Sequence, residues 1–265
     1  MLKRLAIFNF LSVILSIALN FLAQTGQING KTIGEISDKY QNLFTPANYA
    51  FSIWGLIFTG LLVFSSFMLY QAFSNGKYTD FIKNTSGWFI VTNIAMSGWI
   101  VAWLYEYIGL SVIFMFLILI KLLKIILNND MEKWDAPIQT IAFYWWPICL
   151  FSGWISVAVI ANMASYLSKI GWDGAIFSEV EWTVIMIGVA TIINLLMIHL
   201  RNMREYAAVG IWALVAIYVR HQGPEELIAK TALGGAILLF LNISYHAFIN
   251  RKTNPVYRLL HGQKL

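Results

Sequence analysis

The side chains equipped for chemistry within the apolar stretches of this chain are tryptophans, amides and prolines. In FTPANYAFSIWGLIF, residues 44–58, Pro46 stands at the mouth of an apolar run and Tyr49 follows it. Phe51, Trp54 and Phe58 then recur at helical spacing, on or near one face. Asn93 and Ser97 lie four apart and share a face, as do Pro147, Trp154 and Ala158. A proline within a helix removes one backbone hydrogen bond and permits a kink, and a kink beside Trp154 makes room for a pocket. A plainer reading stands beside each of these. Trp54 and Trp154 also suit helix packing. Trp88, Trp145 and Trp182 suit the aromatic belt at a membrane–water interface. Asn93, Asn162, Asn194 and Asn242 need partners in an apolar setting, so interhelical hydrogen bonding is their default role.

Catalytic signatures are missing. The chain matches no phosphate-cradling GxxxxGK[ST] or GxGxxG loop, no HExxH zinc helix and no GxSxG nucleophile elbow. His199, His221, His246 and His261 show no metal-ligand spacing, and His199 and His246 are expected near inner helix ends. The single Cys149 excludes a disulfide framework and a cysteine metal site. Asp and Glu avoid the centres of the apolar runs: Glu106 falls in a tight turn and Glu181 at the start of a run. A proton-coupled pump keeps a carboxylate at membrane depth, so proton-driven antiport is disfavoured, while passive or ligand-gated movement stays open. No constellation of acid, base or metal ligands points to an enzyme, and no catalytic residue, metal or cofactor is expected.

The elements that must position these residues are membrane helices. The chain is 59% hydrophobic and 12% charged, against about 25% charged in soluble domains. Its apolar residues fall in long runs almost free of charge, which predicts an all-α polytopic bundle embedded in a lipid bilayer. A barrel would alternate polar and apolar residues instead. Eight segments are expected, near 5–24, 48–71, 86–105, 107–127, 137–167, 181–200, 206–219 and 226–247. The first is read as a retained span, the fifth as long enough to tilt or project, and the seventh as short. With eight spans and an inner N-terminus, thirteen of the 18 basic residues face inward: Lys3, Arg4, Lys77, Lys83, Lys121, Lys124, Lys133, Arg201, Arg204, Arg251, Lys252, Arg258 and Lys264. Lys31, Lys39, Lys169, Arg220 and Lys230 face outward. This positive-inside bias predicts cytoplasmic termini in a cytoplasmic, bacterial inner membrane. The formal charge of +5 then reports sidedness and implies no nucleic acid partner.

Three of the motifs resemble the tryptophan-rich sensory protein/translocator family, TspO/MBR. That family enters its second helix through a proline followed eight residues later by a tryptophan, the interval kept by Pro46 and Trp54, with Tyr49 and Phe51 between and Gly55 after. A second proline usual before that tryptophan is replaced here by Ser52. The third-helix pattern of an asparagine followed by aromatics matches NIAMSGWIVAW from Asn93 to Trp103, and the fifth-helix pattern matches Pro147, Trp154, Ala158 and Asn162. The likeness covers residues 1–167, a five-helix unit, and leaves 168–265 as an additional three-helix segment with a basic cytoplasmic tail. It implies a pocket under the first long loop that binds porphyrins and other flat hydrophobic ligands, and a homodimer. Carried over by motif, Trp54, Asn93 and Trp154 line that pocket, joined by Tyr49, Phe51 and Phe58, with Pro46, Pro147, Ala158 and Asn162 in structural roles. The expected function is a membrane binding or sensory protein for tetrapyrrole-like ligands. Alternatives are a secondary transporter or channel-like protein for another small hydrophobic or neutral solute, or an enzyme of porphyrin breakdown. The loop from Gly26 to Pro46 is expected to act as a lid.

Overall fold

The computed structural model describes residues 1–74, 79–251 and 257. Lys77, Lys252, Arg258, Lys264 and His261 lie outside the described residues. The helices are α1 (Leu2–Gln24), α2 (Ile33–Lys39), α3 (Ile53–Phe73), α4 (Thr79–Leu104), α5 (Ile108–Asn128), α6 (Ile138–Thr140), α7 (Trp146–Lys169), α8 (Glu179–Arg201), α9 (Arg204–His221) and α10 (Glu226–Ile249). A 3₁₀ turn, Asn48–Ser52, leads into α3, and a π turn, Ile141–Trp145, joins α6 to α7. No strand occurs among the described residues.

Among the described residues seven helical stretches are long and apolar enough to cross a membrane, and the chain is an integral, multi-pass membrane protein. The seventh expected segment, near 206–219, is α9, and it is not one of these seven. Its 18 residues reach only about 27 Å, and Arg204, Glu205 and Arg220 occupy its ends. It nevertheless runs from one end of the bundle to the other. Its first turn follows Asn202, whose amide donates to the Glu132 carbonyl between α5 and α6, and its last residue, His221, meets the Leu43 carbonyl at 2.8 Å. Protein covers most of it: α9 packs on α7, α8 and α10, buries Tyr206, Val209, Leu214 and Ile217, and leaves a narrow stripe through Trp212 and Val219 exposed. A helix sheltered in this way has no need of the lipid-facing apolar length of its neighbours.

The polar contacts sort the connections into two ends, termed outer and inner after the sidedness that the charges predict. At the outer end Asn29 donates to the Leu104 carbonyl, Ser168 to that of Gln41, and the Leu43 amide to Glu179. At the inner end Arg201 donates to the Ile126 and Met131 carbonyls, and the Lys3 ammonium lies 5.0 Å from the Phe73 ring centroid. α1 and α4 run parallel, clasped by Asn9 to Ser86 and by Ser16 to the Asn93 carbonyl.

Pro147 sits in the first turn of α7, and the π turn immediately before it absorbs the interruption that its missing N–H imposes. The ring packs on α3, where a Cβ at Gly60 would stand 3.4 Å from the Pro147 Cβ. Closer approaches tie α7 to α9 and α8 to α9. A Cβ at Gly153 would meet the Tyr206 carbonyl oxygen at 2.7 Å, and one at Gly210 would meet the Asn194 amide oxygen at 2.5 Å. α9 therefore touches α7 at backbone range and takes the Asn194 side chain of α8 against its own backbone.

Candidate functional site

Beneath the outer loop, α3, α4, α5 and α7 enclose a small cavity roofed by Ile33 and Ser37 of α2 and by Thr45 and Pro46. Local sequence sets the roof. Thr32 and Glu35 form a reciprocal capping box that starts α2. Asn42 accepts from the Phe44 amide and donates to Ser165 on α7 at 3.1 Å. The Ala47 amide donates to the Ala216 carbonyl of α9, and Arg220 reaches the Pro46 carbonyl at 3.5 Å.

Four tryptophans form the walls. Trp54 and Trp154 meet edge to face, with centroids 6.3 Å apart and planes at 84°, and Phe51 stands edge-on to Trp154 at 6.1 Å. Trp99 and Trp103, one turn apart on α4, stack at 5.8 Å. The Trp99 indole donates to Asn162 at 2.7 Å, and that of Trp103 to the Ile33 carbonyl at 3.1 Å, which ties α2 to α4. Asn162 also donates to Ser111 at 2.9 Å. The Thr45 hydroxyl in the roof is buried without a hydrogen-bond partner among the described residues.

The roof is fastened by Glu106, which turns the chain between α4 and α5 at φ +60°. Lys31, Lys39 and Tyr40 all donate to its carboxylate, and Lys169 to its carbonyl. The Lys31 hydrogen bond, followed by those of Lys39 and Tyr40, holds the Glu106 carboxyl down at about 2, and the bond to Glu106 raises the Tyr40 hydroxyl.

Of the residues expected at a pocket, the structure brings Trp54, Phe51, Trp154, Pro46, Ala158 and Asn162 to this cavity. Three others lie elsewhere. Asn93 is buried against α1, its amide donating to the Phe89 carbonyl while its own carbonyl accepts from Ser16 and Ser97. A register of six or more residues separates it from Trp99 and Trp103, the α4 residues that do face the cavity. Tyr49 points outward, edge-on to Trp212 at 5.3 Å, because the 3₁₀ turn rotates it away from Phe51. Phe58 stacks on the far side of Trp54 at 5.2 Å. Pro46 precedes the 3₁₀ turn by two residues and so lies outside the first helical turn. Trp145, read as a belt residue, is 1% exposed, because the π turn directs it into protein. Trp99, Trp103, Met115 and Thr45 are lining residues that the motifs did not single out. The i, i+4 spacing of the two α4 tryptophans was the available signal.

The cavity measures about 50 Å³, room for a few waters and far below the roughly 300–1,000 Å³ of small-molecule pockets. The perpendicular contact of Trp54 with Trp154 leaves no slot for a ring between them, so a flat ligand can enter only if the α2 roof lifts. A second, larger cavity of about 550 Å³ opens at the inner end, beside the π turn and the first turn of α9.

A family model described as TSPO-like protein matches residues 6–245, from α1 into α10 and so beyond residue 167. No curated protein and no solved structure matches the chain.

Proposed function

The chain belongs to the TSPO-like protein family, and from that premise we propose that it binds flat hydrophobic ligands of the tetrapyrrole class beneath its outer loop. The observation in favour is the wall of Trp54, Trp99, Trp103 and Trp154 under a roof held by polar contacts at its rim. Conjugated rings gain from apolar burial and from stacking on indoles, and Asn162 and Ser165 offer polar atoms at the cavity edge. In this reading lifting α2 turns the small cavity into a cleft, Trp54 and Trp154 part, and the ligand edge meets the Thr45 hydroxyl. The family places the chain in the general class of membrane binding and sensory proteins, and no catalytic step is assigned to it. A homodimer and a unit boundary near residue 167 belong to the same proposal.

The test is a protoporphyrin titration of wild type, Trp54→Phe, Trp154→Phe and the double mutant, with melting curves alongside. Loss of one stacked indole is expected to cost about 0.5–1.5 kcal/mol beyond lost area, or roughly three- to tenfold in affinity. The double loss is expected to be non-additive at near-constant stability. Equal affinity in all four proteins, or no saturable binding by wild type, overturns the reading.

Transport of the same ligand is the second reading. The observation favouring it is a cavity at each end of α7, and counterflow in proteoliposomes discriminates it from binding alone. For sidedness we propose that both termini face the cytoplasm of a bacterial inner membrane, since Lys3, Arg4, Lys83, Lys133, Arg201 and Arg204 gather at one end. A reporter active only outside that membrane, fused after residue 265, is expected to be silent, and a strong signal refutes the orientation.

A further inference from the structure

The inner cavity is larger than the outer one and differs from it in chemistry. It lies between residues 129–137, the π turn, the first turn of α9 and the last turns of α10. Its walls hold buried polar atoms without a hydrogen-bond partner among the described residues: Glu132 Oε1, Glu205 Oε2, Trp145 Nε1, Arg204 Nε and His246 Nδ1. Trp145 is 1% exposed. Unsatisfied groups at such depth are costly, and the residues that carry them line a space of about 550 Å³, within the range of small-molecule sites.

The charges select the ligand. Three carboxylates, those of Glu132, Asp135 and Glu205, line the cavity with two cations, Arg204 and Lys133. The next guanidinium, Arg201, is drawn to Asp130 at 3.9 Å and to the Ile126 and Met131 carbonyls. With Glu132 ionised, carboxylates outnumber these cations by one, a balance that disfavours an anion, and no three metal-ligating side chains cluster among the described residues. The remaining wall is aromatic, with Trp134 edge-on to Trp145 at 5.2 Å and Trp146 alongside. Carboxylate plus indole is the combination that holds organic cations.

We propose that the inner cavity is a binding site for an ammonium-bearing organic cation, its charge held by Glu132 and Glu205 and its alkyl groups by Trp145, Trp146 and Trp134. The inference is independent of the outer pocket.

Binding is coupled to a proton. Burial first, then the charge of Glu205, pushes the Glu132 carboxyl up to about 8, against the pull of Arg204. The other ionisable or charged groups around it are Asp130, Lys133 and Asp135 on its own loop, Arg201 on α8, Cys149 on α7 and His246 on α10. In the empty cavity at neutral pH Glu132 holds a proton, which an arriving cation expels. Affinity for a permanently charged cation therefore rises with pH and levels off above about 8.

The test uses the full chain in phosphatidylglycerol nanodiscs, titrated calorimetrically with benzyltrimethylammonium. The expectation is one saturable site, bound roughly twentyfold more tightly near pH 8.5 than near pH 6.5. Near pH 8, a fraction of a proton should be released per cation, read from buffers of differing ionisation enthalpy. Glu205→Gln is expected to weaken binding about tenfold or more, Glu132→Gln to weaken it and flatten the pH dependence, and Trp54→Phe to leave it unchanged. The proton release is measured on wild type and so stands even if a cavity variant fails to fold. Repeating the titration with phosphatidylethanolamine in the disc identifies the source. Competitive weakening assigns the ammonium to a lipid headgroup, and unchanged affinity assigns it to a free amine. No saturable binding, no proton release, wild-type affinity in folded Glu205→Gln, or tighter binding of benzenesulfonate overturns the proposal.

Discussion

Asn162 fixes the outer cavity from within: its amide oxygen takes the Trp99 N–H and its amide nitrogen reaches Ser111. Asn162→Ala strands the buried Trp99 N–H, while Ser111 keeps its bond to the Ile108 carbonyl, and is expected to cost about 1–3 kcal/mol, seen as a lowered melting temperature with tryptophan emission shifted by the freed Trp99. Asn93→Ala carries the contrast. It removes one amide bond to the Phe89 carbonyl and is expected to leave ligand affinity unchanged in a porphyrin titration. A loss there equal to that of Trp154→Phe refutes the placement of Asn93 outside the site. The resemblance put Asn93 in the pocket and Asn162 in a structural role, whereas it is Asn162 that lines the cavity. Both have aromatic neighbours at helical spacing, and only the rotation of α4 against α1 decides between them. That rotation follows from Asn9, Ser16 and Ser86 on the opposite face, small polar residues whose pairing no spacing along the chain reveals. Trp54, Phe51 and Trp154 were easier to read, because a helix leaving a proline-containing loop can bury only one face there.

At the scale of elements, α2 and its rim decide access. Three donors on the carboxylate of Glu106 and one on its carbonyl fasten the roof. Glu106→Gln is expected to speed ligand association and to raise proteolysis within residues 25–47, measured by stopped flow and limited digestion. An association rate equal to wild type argues that the roof moves without breaking this hub. The pH dependence has a definite sign. The Glu106 carboxyl lies at about 2 in the folded protein, below its ordinary 4.5. Its contribution is therefore complete above about 4.5 and is lost as pH falls through about 2. A second element-level prediction concerns α7 and α9. Gly153→Ala puts a methyl group 2.7 Å from the Tyr206 carbonyl oxygen, and a backbone atom cannot swing aside. About 1–3 kcal/mol of destabilisation is expected, read as a lower melting temperature in detergent. Unchanged melting indicates that the two helices have slack. The helices themselves were plain from apolar runs, and the long fifth run appeared where expected, as Ile138–Lys169. The π turn was not legible: Pro147 announces an interruption, but whether a helix answers by bending or by widening a turn depends on what packs against it, here Gly60.

At the scale of the molecule, eight helices among the described residues pass from end to end, while seven of these are apolar enough to do so on their own. Charge distribution made the even number legible in the sequence. The partners of the seventh run were not, since they depend on Gly153, Gly210 and Gly235 admitting neighbouring chain at close range. The sheltered position of α9 has a consequence for biogenesis. As the chain leaves the ribosome, the long helices α1, α3, α4, α5, α7 and α8 can each partition into lipid in turn, but α9 emerges with Arg204, Glu205 and Arg220 at its ends and too little apolar length to remain there unaided. It has to wait at the insertion machinery until α10 is synthesised and then enter with it, so the orientation of the last quarter of the protein is settled only when translation is almost complete.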